Sequence, residues 1–495
     1  MHRLSPLLLL AALALTRPAF AAAAPKPNFI VINIDDLGYA DIGPFGSKLN
    51  RTPHLDRMAA EGRKLTCFYA APVCSPSRSS LMTGCYPKRV LPIPGVLFPG
   101  AAVGLNPAEH TVAELLKAQG YATACIGKWH LGDQREFLPT SQGFDYYLGI
   151  PYSNDMGIGA DGSKSDLGAP LPKPKPAGNA AKANQPNGDE TGLKGASQPP
   201  LPLIENDQVV ARVKQDEQQA IVETYTTAAV KFIQAQRDQP FFLYLPHNAV
   251  HFPLYPGKKW AGKSPNGLYG DWVEEVDWSV GQVLDTLRAL KLDTKTLVVF
   301  TSDNGGTLRA VNAPLRGKKG STWEGGMRVP TIAWWPGKIP AGTASDAITG
   351  MRDILPTFVP LAGGKLPTDR QLDGADLWPL LAGTSGAQPP HDTFHFFHGL
   401  NLEAIRSGAW KLHLKTGQLY QLDSDVGEKT NVAAAHPDVV QRLRNLAEAM
   451  KDDLGQKEIG PGVRPLGRVT NPQPILDADG NVRADFAGSA QQRLP

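Results

Sequence analysis

The chain has 495 residues, with 50 Lys plus Arg against 47 Asp plus Glu and a formal net charge of +3. That near-balance excludes the basic excess of a nucleic-acid-binding protein, and 42% hydrophobic against 20% charged residues excludes an acidic disordered chain. The length accommodates roughly two to three domains, and 44 Pro with 50 Gly describe a loop-rich chain rather than a helical bundle or coiled coil.

The chain begins with Arg3, then an unbroken apolar run of nine residues from Leu7 to Leu15, then Ala19-Phe20-Ala21. A positive start, a short apolar core and a small-residue cleavage site predict a signal peptide over 1–21. The run is too short for a membrane span, which needs about 20 apolar residues. No other stretch is long and apolar enough to cross a bilayer, so the expectation is an exported protein, periplasmic in a bacterium or secreted. Four cysteines, Cys67, Cys74, Cys85 and Cys125, are too few for a disulfide framework in a chain of this length. Their spacing does not suggest zinc. Asn50-Arg51-Thr52 matches a glycosylation acceptor.

Residues 28–34 are a β-branched run and predict a buried strand that ends in Asp35-Asp36-Leu37-Gly38. A helix is expected over 53–60, stopped by Gly62. Thr111-Val112-Ala113-Glu114 reads as a capping box, and its helix closes at Gly120. A strand over 121–126 leads into Gly127-Lys128-Trp129-His130. Residues 163–202 are rich in Pro, Lys, Ala, Gly and Asn and are expected to form an irregular insertion.

Helix 216–236, strand 241–245, helix 271–290 and strand 297–301 follow. His247 and His251 come after the third strand and Asp303-Asn304 after the fourth. Alternating strands and helices predict an α/β fold, a large and mostly parallel sheet sandwiched by helices. Past residue 385 the pattern changes to short antiparallel strands around Thr416-Gly417 and an amphipathic helix over 437–454, predicting a smaller C-terminal α+β subdomain. The expected division is a catalytic domain over 22–385 and a C-terminal subdomain and tail over 386–495, with the tail after Gly460 irregular.

Polar motifs therefore fall just past the C-terminal ends of four strands: Asp35-Asp36, Lys128 with His130, His247 with His251, and Asp303-Asn304. That edge is where open α/β sheets bind ligands. Asp-Asp or Asp-Asn-Gly alone is an ordinary turn; their convergence is what points to a site. Three carboxylates and an amide carbonyl are hard oxygen donors, suited to calcium or magnesium rather than zinc. In Val73-Cys74-Ser75-Pro76-Ser77-Arg78, Pro76 fits a first helical turn with Cys74 at its start. A helix N-terminus favours an anion and lowers a thiol pKa. Taken alone, such a cysteine is also read as buried or disulfide-bonded.

Cys74-Ser75-Pro76-Ser77-Arg78 resembles the signature of the type I sulfatases, formylglycine-dependent enzymes with an alkaline-phosphatase-like fold. The likeness extends through Asp35-Asp36, Gly127-Lys128-Trp129-His130, Gly149-Ile150-Pro151-Tyr152-Ser153, Val250-His251-Phe252-Pro253, Ser302-Asp303-Asn304-Gly305 and Lys319-Gly320-Ser321-Thr322-Trp323-Glu324-Gly325-Gly326. These motifs stand in the family's order and are most similar to the arylsulfatase A and N-acetylgalactosamine-6-sulfatase types.

The resemblance implies a sulfuric ester hydrolase acting on an aryl, carbohydrate or glycolipid sulfate. It implies that a formylglycine-generating enzyme oxidises Cys74 to Cα-formylglycine, whose hydrated aldehyde attacks sulfur and then expels sulfate. Asp35, Asp36, Asp303 and Asn304, with the modified Cys74, are implied as ligands of one calcium ion, magnesium fitting less well. Arg78 and Lys128 are implied to hold the nucleophile, and His130 to take the proton that triggers elimination. His251 and Lys319 are implied to bind sulfate, one of them protonating the leaving oxygen. Ser153 is implied on the substrate side, and Lys128 also contacts substrate. The match favours His251 over His247 and Lys319 over Lys318. Two alternatives share the motif or the anion site: a formylglycine-dependent phosphonate monoester or phosphodiester hydrolase, and a sulfated-glycan binder without turnover.

Overall fold

The computed structural model describes residues 26–172 and 190–488. The signal peptide expected over 1–21 and residues 173–189 of the expected insertion lie outside the described residues.

The strands begin with β1 (Asn28–Ile34), β2 (Arg63–Tyr69), β3 (Val103–Gly104), β4 (Ala122–Ile126), β5 (Tyr146–Gly149) and β6 (Pro202–Glu205). They continue with β7 (Gln208–Arg212), β8 (Phe241–Pro246), β9 (Thr296–Ser302), β10 (Arg328–Trp334), β11 (Thr343–Ser345) and β12 (Thr349–Gly350). The large sheet runs in the order β11-β2-β10-β9-β1-β8-β4-β5-β6-β7, with β12 also on β2. Its middle, β9-β1-β8-β4-β5, is wholly parallel. β10 inserts antiparallel between β2 and β9, and β6 and β7 close the far edge antiparallel.

Every residue of β1, β8 and β9 is buried, as expected for parallel strands covered on both faces. Alternation along the strand feeds two cores. Phe29, Val31, Phe242, Tyr244, Leu297 and Val299 face one helical layer. Ile30, Ile32, Leu243, Leu245, Val298 and Phe300 face the other. The first layer holds α2 (Cys74–Thr83), α4 (Val112–Lys117) and α8 (Ile354–Leu361), and the second α1 (Pro53–Glu61), α5 (Gln215–Ala235) and α6 (Gly267–Ala289). The short helices α3 (Pro87–Val90), α7 (Glu324–Met327) and α9 (Trp378–Leu381) complete this part of the chain. Each buried Phe, Leu or Ile contributes about 1.5–3 kcal/mol, so these rows drive the fold. The Thr111 capping box forms as expected, with both of its hydrogen bonds.

A separate antiparallel sheet follows, ordered β13 (Thr393–His398), β14 (Asn401–Ser407), β15 (Trp410–His413) and β16 (Leu419–Gln421). Gly417 turns β15 into β16 with φ +69°, a conformation glycine adopts without strain. α10 (Pro437–Leu454) lays Leu443, Ala447 and Leu454 on this sheet. The tail, expected to be irregular, folds back: β17 (Gly467–Arg468) pairs with β3, and Ile475 and Phe486 are buried in the first core. Its apolar residues are too scattered to show a period, so only packing reveals their place. The four cysteines are all buried and free. Asn50 is buried and donates its amide to the Asp41 carbonyl at 2.9 Å, so the folded protein does not offer it as a glycan acceptor.

Arg89, 1% exposed, ties the two sheets' surroundings together. Its Nη2 lies 2.7 Å from Asp373 and 2.6 Å from Asp453 of α10. Removing one partner of a buried pair leaves the others uncompensated and costs about 3–5 kcal/mol. Arg89→Met is expected to lose that much stability, read as a lower urea midpoint with unchanged slope; an unaltered midpoint would refute the link.

Candidate active site

The parallel middle of the sheet brings five strand ends side by side. β1 delivers Asp35 and Asp36, β9 delivers Asp303 and Asn304, and β8 leads to His251. β4 leads to Lys128 and His130, and β5 to Ser153. β2 points the same way through its antiparallel neighbour β10, and its following loop ends at Cys74, the first residue of α2. Backbone bonds fix the joins: Asp35 N donates to Ala249 O at 2.9 Å and Val250 N to Asp35 O at 2.7 Å. Gly127 is obligatory here. A Cβ on it would lie 1.9 Å from the Pro246 carbonyl oxygen, which accepts from Lys128 N at 2.7 Å. Asp36 and His130 both occupy the left-handed region, with φ 65° and 66°, backbone strain of the kind that clusters at functional sites.

The side chains converge. Cys74 Sγ is 3.3 Å from Asp35 Oδ1, 3.5 Å from Asn304 Oδ1 and 3.5 Å from Lys319 Nζ. Asn304 Nδ2 donates to Asp36 Oδ1 at 2.8 Å, which turns its carbonyl oxygen toward the thiol. Lys319 Nζ pairs with Asp36 Oδ1 at 2.6 Å, and His251 Nε2 lies 3.7 Å from Asp36 Oδ2. Lys128 Nζ pairs with Asp35 Oδ2 and donates to Ser153 Oγ at 2.6 Å. Arg78 grips Asp303 Oδ2 through Nε at 3.0 Å and Nη2 at 2.7 Å, and it also donates to the Lys128 carbonyl. One ligand atom each from Asp35, Asp36, Cys74 and His251 lies within 4.8 Å of the others.

The sequence-derived set thus meets in one place, and the structure separates both pairs of rivals. His247 is buried away from the cluster with Nε2 3.1 Å from Ser279 Oγ, and burial pushes its pKa down to about 3. Lys319 enters the cluster; Lys318 stays exposed.

Electrostatics at this centre are dominated by burial. Desolvation pushes the Asp35 carboxyl up, but Lys128, His251, Lys319 and Arg78 outweigh it and hold it well below the usual range. Desolvation and then Asp35 push the Asp303 carboxyl up, with Arg78 opposing. The helix start was expected to lower the Cys74 thiol. Instead burial, with Asp303 and Asp35 beside it, pushes it far up, because desolvation disfavours the thiolate and nearby carboxylates repel it. Burial, then Lys128 and Arg78, hold His130 well below its ordinary value. Its Nε2 faces the Leu97 carbonyl at 2.8 Å, while Nδ1 is buried without a partner.

Trp323 and Glu324 belong to the quoted motif without an assigned role, and the residues they pack against were not singled out from the sequence. Glu324, the first residue of α7 just after the loop that carries Lys319, is fully buried against Lys411 Nζ at 2.9 Å and Tyr69 Oη at 2.7 Å. Lys411 also pairs with Glu428 Oε1 at 3.0 Å, and Glu428 Oε2 accepts from Glu324 N at 2.8 Å. Trp323 packs against His413 with centroids 4.0 Å apart and the rings tilted by 37°, and the Arg316 guanidinium lies 3.8 Å from the Trp323 ring centroid. Burial opposes ionisation of Glu324, yet Lys411, Arg328 and Arg406 bring it down to about 2. The small sheet therefore clamps the Lys319 loop. The available signal was charge at alternate positions of β15, Lys411 and His413, which reads as an exposed face until the sheet is docked.

A model of the family described as Sulfatase matches residues 27–364. Human arylsulfatase A is 37% identical over 88% of this chain and 89% of its own. Mouse N-acetylgalactosamine-6-sulfatase is 38% identical over 83% of this chain and 75% of its own. The crystal structure of Ps i-CgsB in complex with k-i-k-neocarrahexaose superposes with a TM-score of 0.73 at 31% identity, covering 88% of this chain and 95% of that one. The chain belongs to the sulfatase family and is an enzyme of that class, a hydrolase of sulfate esters.

Lys411→Met removes the cation shared by Glu324 and Glu428 without touching the cluster around Cys74. Displacing a reacting group by about 1 Å costs on the order of 100-fold in rate, so sulfate release is expected to fall by about 10-fold or more, with Lys411→Arg recovering most of it. Equal activity in Lys411→Met and the parent would show that the clamp does not position Lys319.

Proposed function

We propose that the mature enzyme carries Cα-formylglycine at position 74 and one calcium ion, and releases inorganic sulfate from an aryl, carbohydrate or glycolipid sulfate. The observation that carries this reading is the placement of Cys74. It is 1% exposed, at the first residue of a helix, with Asp35, Asn304 and Lys319 all within 3.5 Å of its sulfur. A thiol held protonated is a poor nucleophile, and sulfur is a poor neighbour for a hard cation.

The donor set fits calcium. Asp35, Asp36 and Asp303 supply carboxylates, and Asn304 turns its carbonyl oxygen inward. All four are buried, at 0%, 2%, 0% and 0% exposure. Bound there, the ion would polarise sulfate oxygens and offset the carboxylates' mutual repulsion. Oxidised and hydrated, position 74 would supply an oxygen nucleophile.

The chain's own groups divide the remaining work. Arg78 holds Asp303 and Lys128 holds Asp35, each leaving a positive charge beside position 74. Lys128 also reaches Ser153, which would orient a sulfate oxygen. A carbonyl only accepts, so His130 carries its proton on Nε2 toward Leu97 and keeps Nδ1 as the free base. Its lowered pKa keeps that base unprotonated at neutral pH. His251 Nδ1 likewise donates to the Phe252 carbonyl at 2.6 Å, leaving Nε2 toward Asp36. Burial works against the Lys319 charge, but Asp36, Cys74 and Asp35 hold its pKa well above the ordinary value. So Lys319 acts as a fixed cation, and His251, carrying a second proton on Nε2 toward Asp36, passes that proton to the leaving oxygen, which departs as the alcohol. The leader from Arg3 to Ala21 supports action after export. Among the described residues no helix is long and apolar enough to cross a membrane.

Protein produced with a formylglycine-generating enzyme is expected to show an aldehyde at position 74 in the tryptic peptide Leu65 to Arg78, by mass spectrometry. It should release sulfate from an aryl sulfate in preference to hydrolysing an aryl phosphodiester. An intact thiol under those conditions would overturn the nucleophile. Cys74→Ala should abolish turnover while changing stability by about 1 kcal/mol or less.

Asp303→Asn is expected to lose bound calcium, measured by elemental analysis, together with activity. EGTA should lower both activity and melting temperature in the parent, because an ion bound only to the native state stabilises it. Calcium content unchanged in Asp303→Asn would contradict the ligand assignment.

A further inference from the structure

Lys318 is left without a role by the catalytic centre, and its surroundings supply one. Arg78, Lys128, Asp35 and Asp303 all have wholly buried side chains, so that side of the centre is closed. Only His251 and Lys319 reach outward, with 11% and 19% of their side chains exposed. The side on which these two residues reach outward is therefore where the alcohol half of a sulfate held between them would lie. There a cavity of about 370 Å³ opens. Val250 and Phe252, the neighbours of His251 in the chain, form one wall; Thr307, Leu308 and Arg309 form another, and Lys318 and Lys319 the third.

The lining is apolar on its faces and cationic at its rim. Leu308 is 83% exposed, which is unusual for a leucine beside a cavity and suits contact with a ring face. The Arg309 guanidinium lies 5.3 Å from the Phe252 ring centroid and is neutralised by Asp166 at 2.8 Å. Lys319 is neutralised by Asp36 at 2.6 Å. The Lys318 ammonium makes no ion pair or hydrogen bond among the described residues. The cavity thus carries one uncompensated positive charge, on Lys318.

Resting on the sulfatase reading above, we infer that this cavity receives the alcohol half of the ester and that Lys318 pairs there with a second anionic group on it. The preferred substrates are then sulfate esters of anionic alcohols, such as a sugar that bears a carboxylate or a second sulfate, with Phe252 and Leu308 against the ring. Neutral aryl or steryl sulfates would bind without that pairing.

The test compares the parent, Lys318→Ala and Lys318→Arg, all carrying the matured position 74, on 4-nitrophenyl sulfate, 4-carboxyphenyl sulfate and catechol disulfate. A partly exposed ion pair corresponds to about a 1.5- to 5-fold effect. In Lys318→Ala the fall in kcat/KM on either dianionic substrate is expected to exceed that on 4-nitrophenyl sulfate by about this factor. It should shrink in 0.5 M NaCl, a concentration chosen to screen charge, and Lys318→Arg should restore it. Equal changes on all three substrates would overturn the inference while leaving sulfatase activity standing. Should no protein release sulfate at all, calorimetric titration with 4-carboxyphenyl sulfate against phenyl sulfate decides the pocket separately. Weaker binding of the carboxylated ester alone in Lys318→Ala supports the pairing; identical binding refutes it.

Discussion

Burying three carboxylates at one end of a sheet is the constraint on which the rest depends. Asp35, Asp36 and Asp303 are almost wholly removed from water, and desolvated charge is costly unless it is matched. Each is matched by a cation from a different part of the chain. Lys128 from the end of β4 meets Asp35, Lys319 from the loop before α7 meets Asp36, and Arg78 from α2 meets Asp303. The charges therefore do more than bind. They require five strand ends and a helix start to be in register, and any displaced element would leave a buried charge alone.

The small antiparallel sheet belongs to the same arrangement. Lys319 can neutralise Asp36 only if its loop stays in place, and that loop is held by Glu324, Lys411 and Glu428 rather than by its own hydrogen bonds alone. A second buried ionic cluster thus supports the first through Trp323 and Glu324. The two differ in purpose. The outer cluster has its charges paired within the chain, whereas the inner one leaves carboxylate and amide oxygens facing Cys74, the arrangement a hard cation and an anionic substrate call for. The opening past His251 and Lys319 follows from this economy of charge, since these are the groups at the centre that are not sealed by packing.

Much of this was legible in the chain. Strands β1, β4, β8 and β9 announce themselves as apolar runs, and each ends in polar residues that turned out to share one edge. The helices over Gly267–Ala289 and Pro437–Leu454 were visible from their periodicity. The short strands β5 to β7 and β10 to β12 were not. β5, β6, β7, β11 and β12 are only two to five residues long, and β10, β11 and β12 pair with β2, far away in sequence, so local pattern carries little of their pairing. The tail after Gly460 shows no apolar period, yet Ile475 and Phe486 both reach the core.

The sequence by itself determined the fold class, the order of the motifs and the chemistry of the donor set, because those depend on residue type and local spacing. Tertiary structure decided what depends on distance. It set Lys319 and His251, which the motif match already favoured, inside the cluster and left Lys318 and His247 outside it, and it raised rather than lowered the thiol pKa at position 74. It also showed Lys411 to be buried between two glutamates instead of solvated on a strand face. Each outcome turns on which charges end up within a few ångströms of one another in a dry interior, where their interaction is strongest, and that proximity is a property of the folded chain alone.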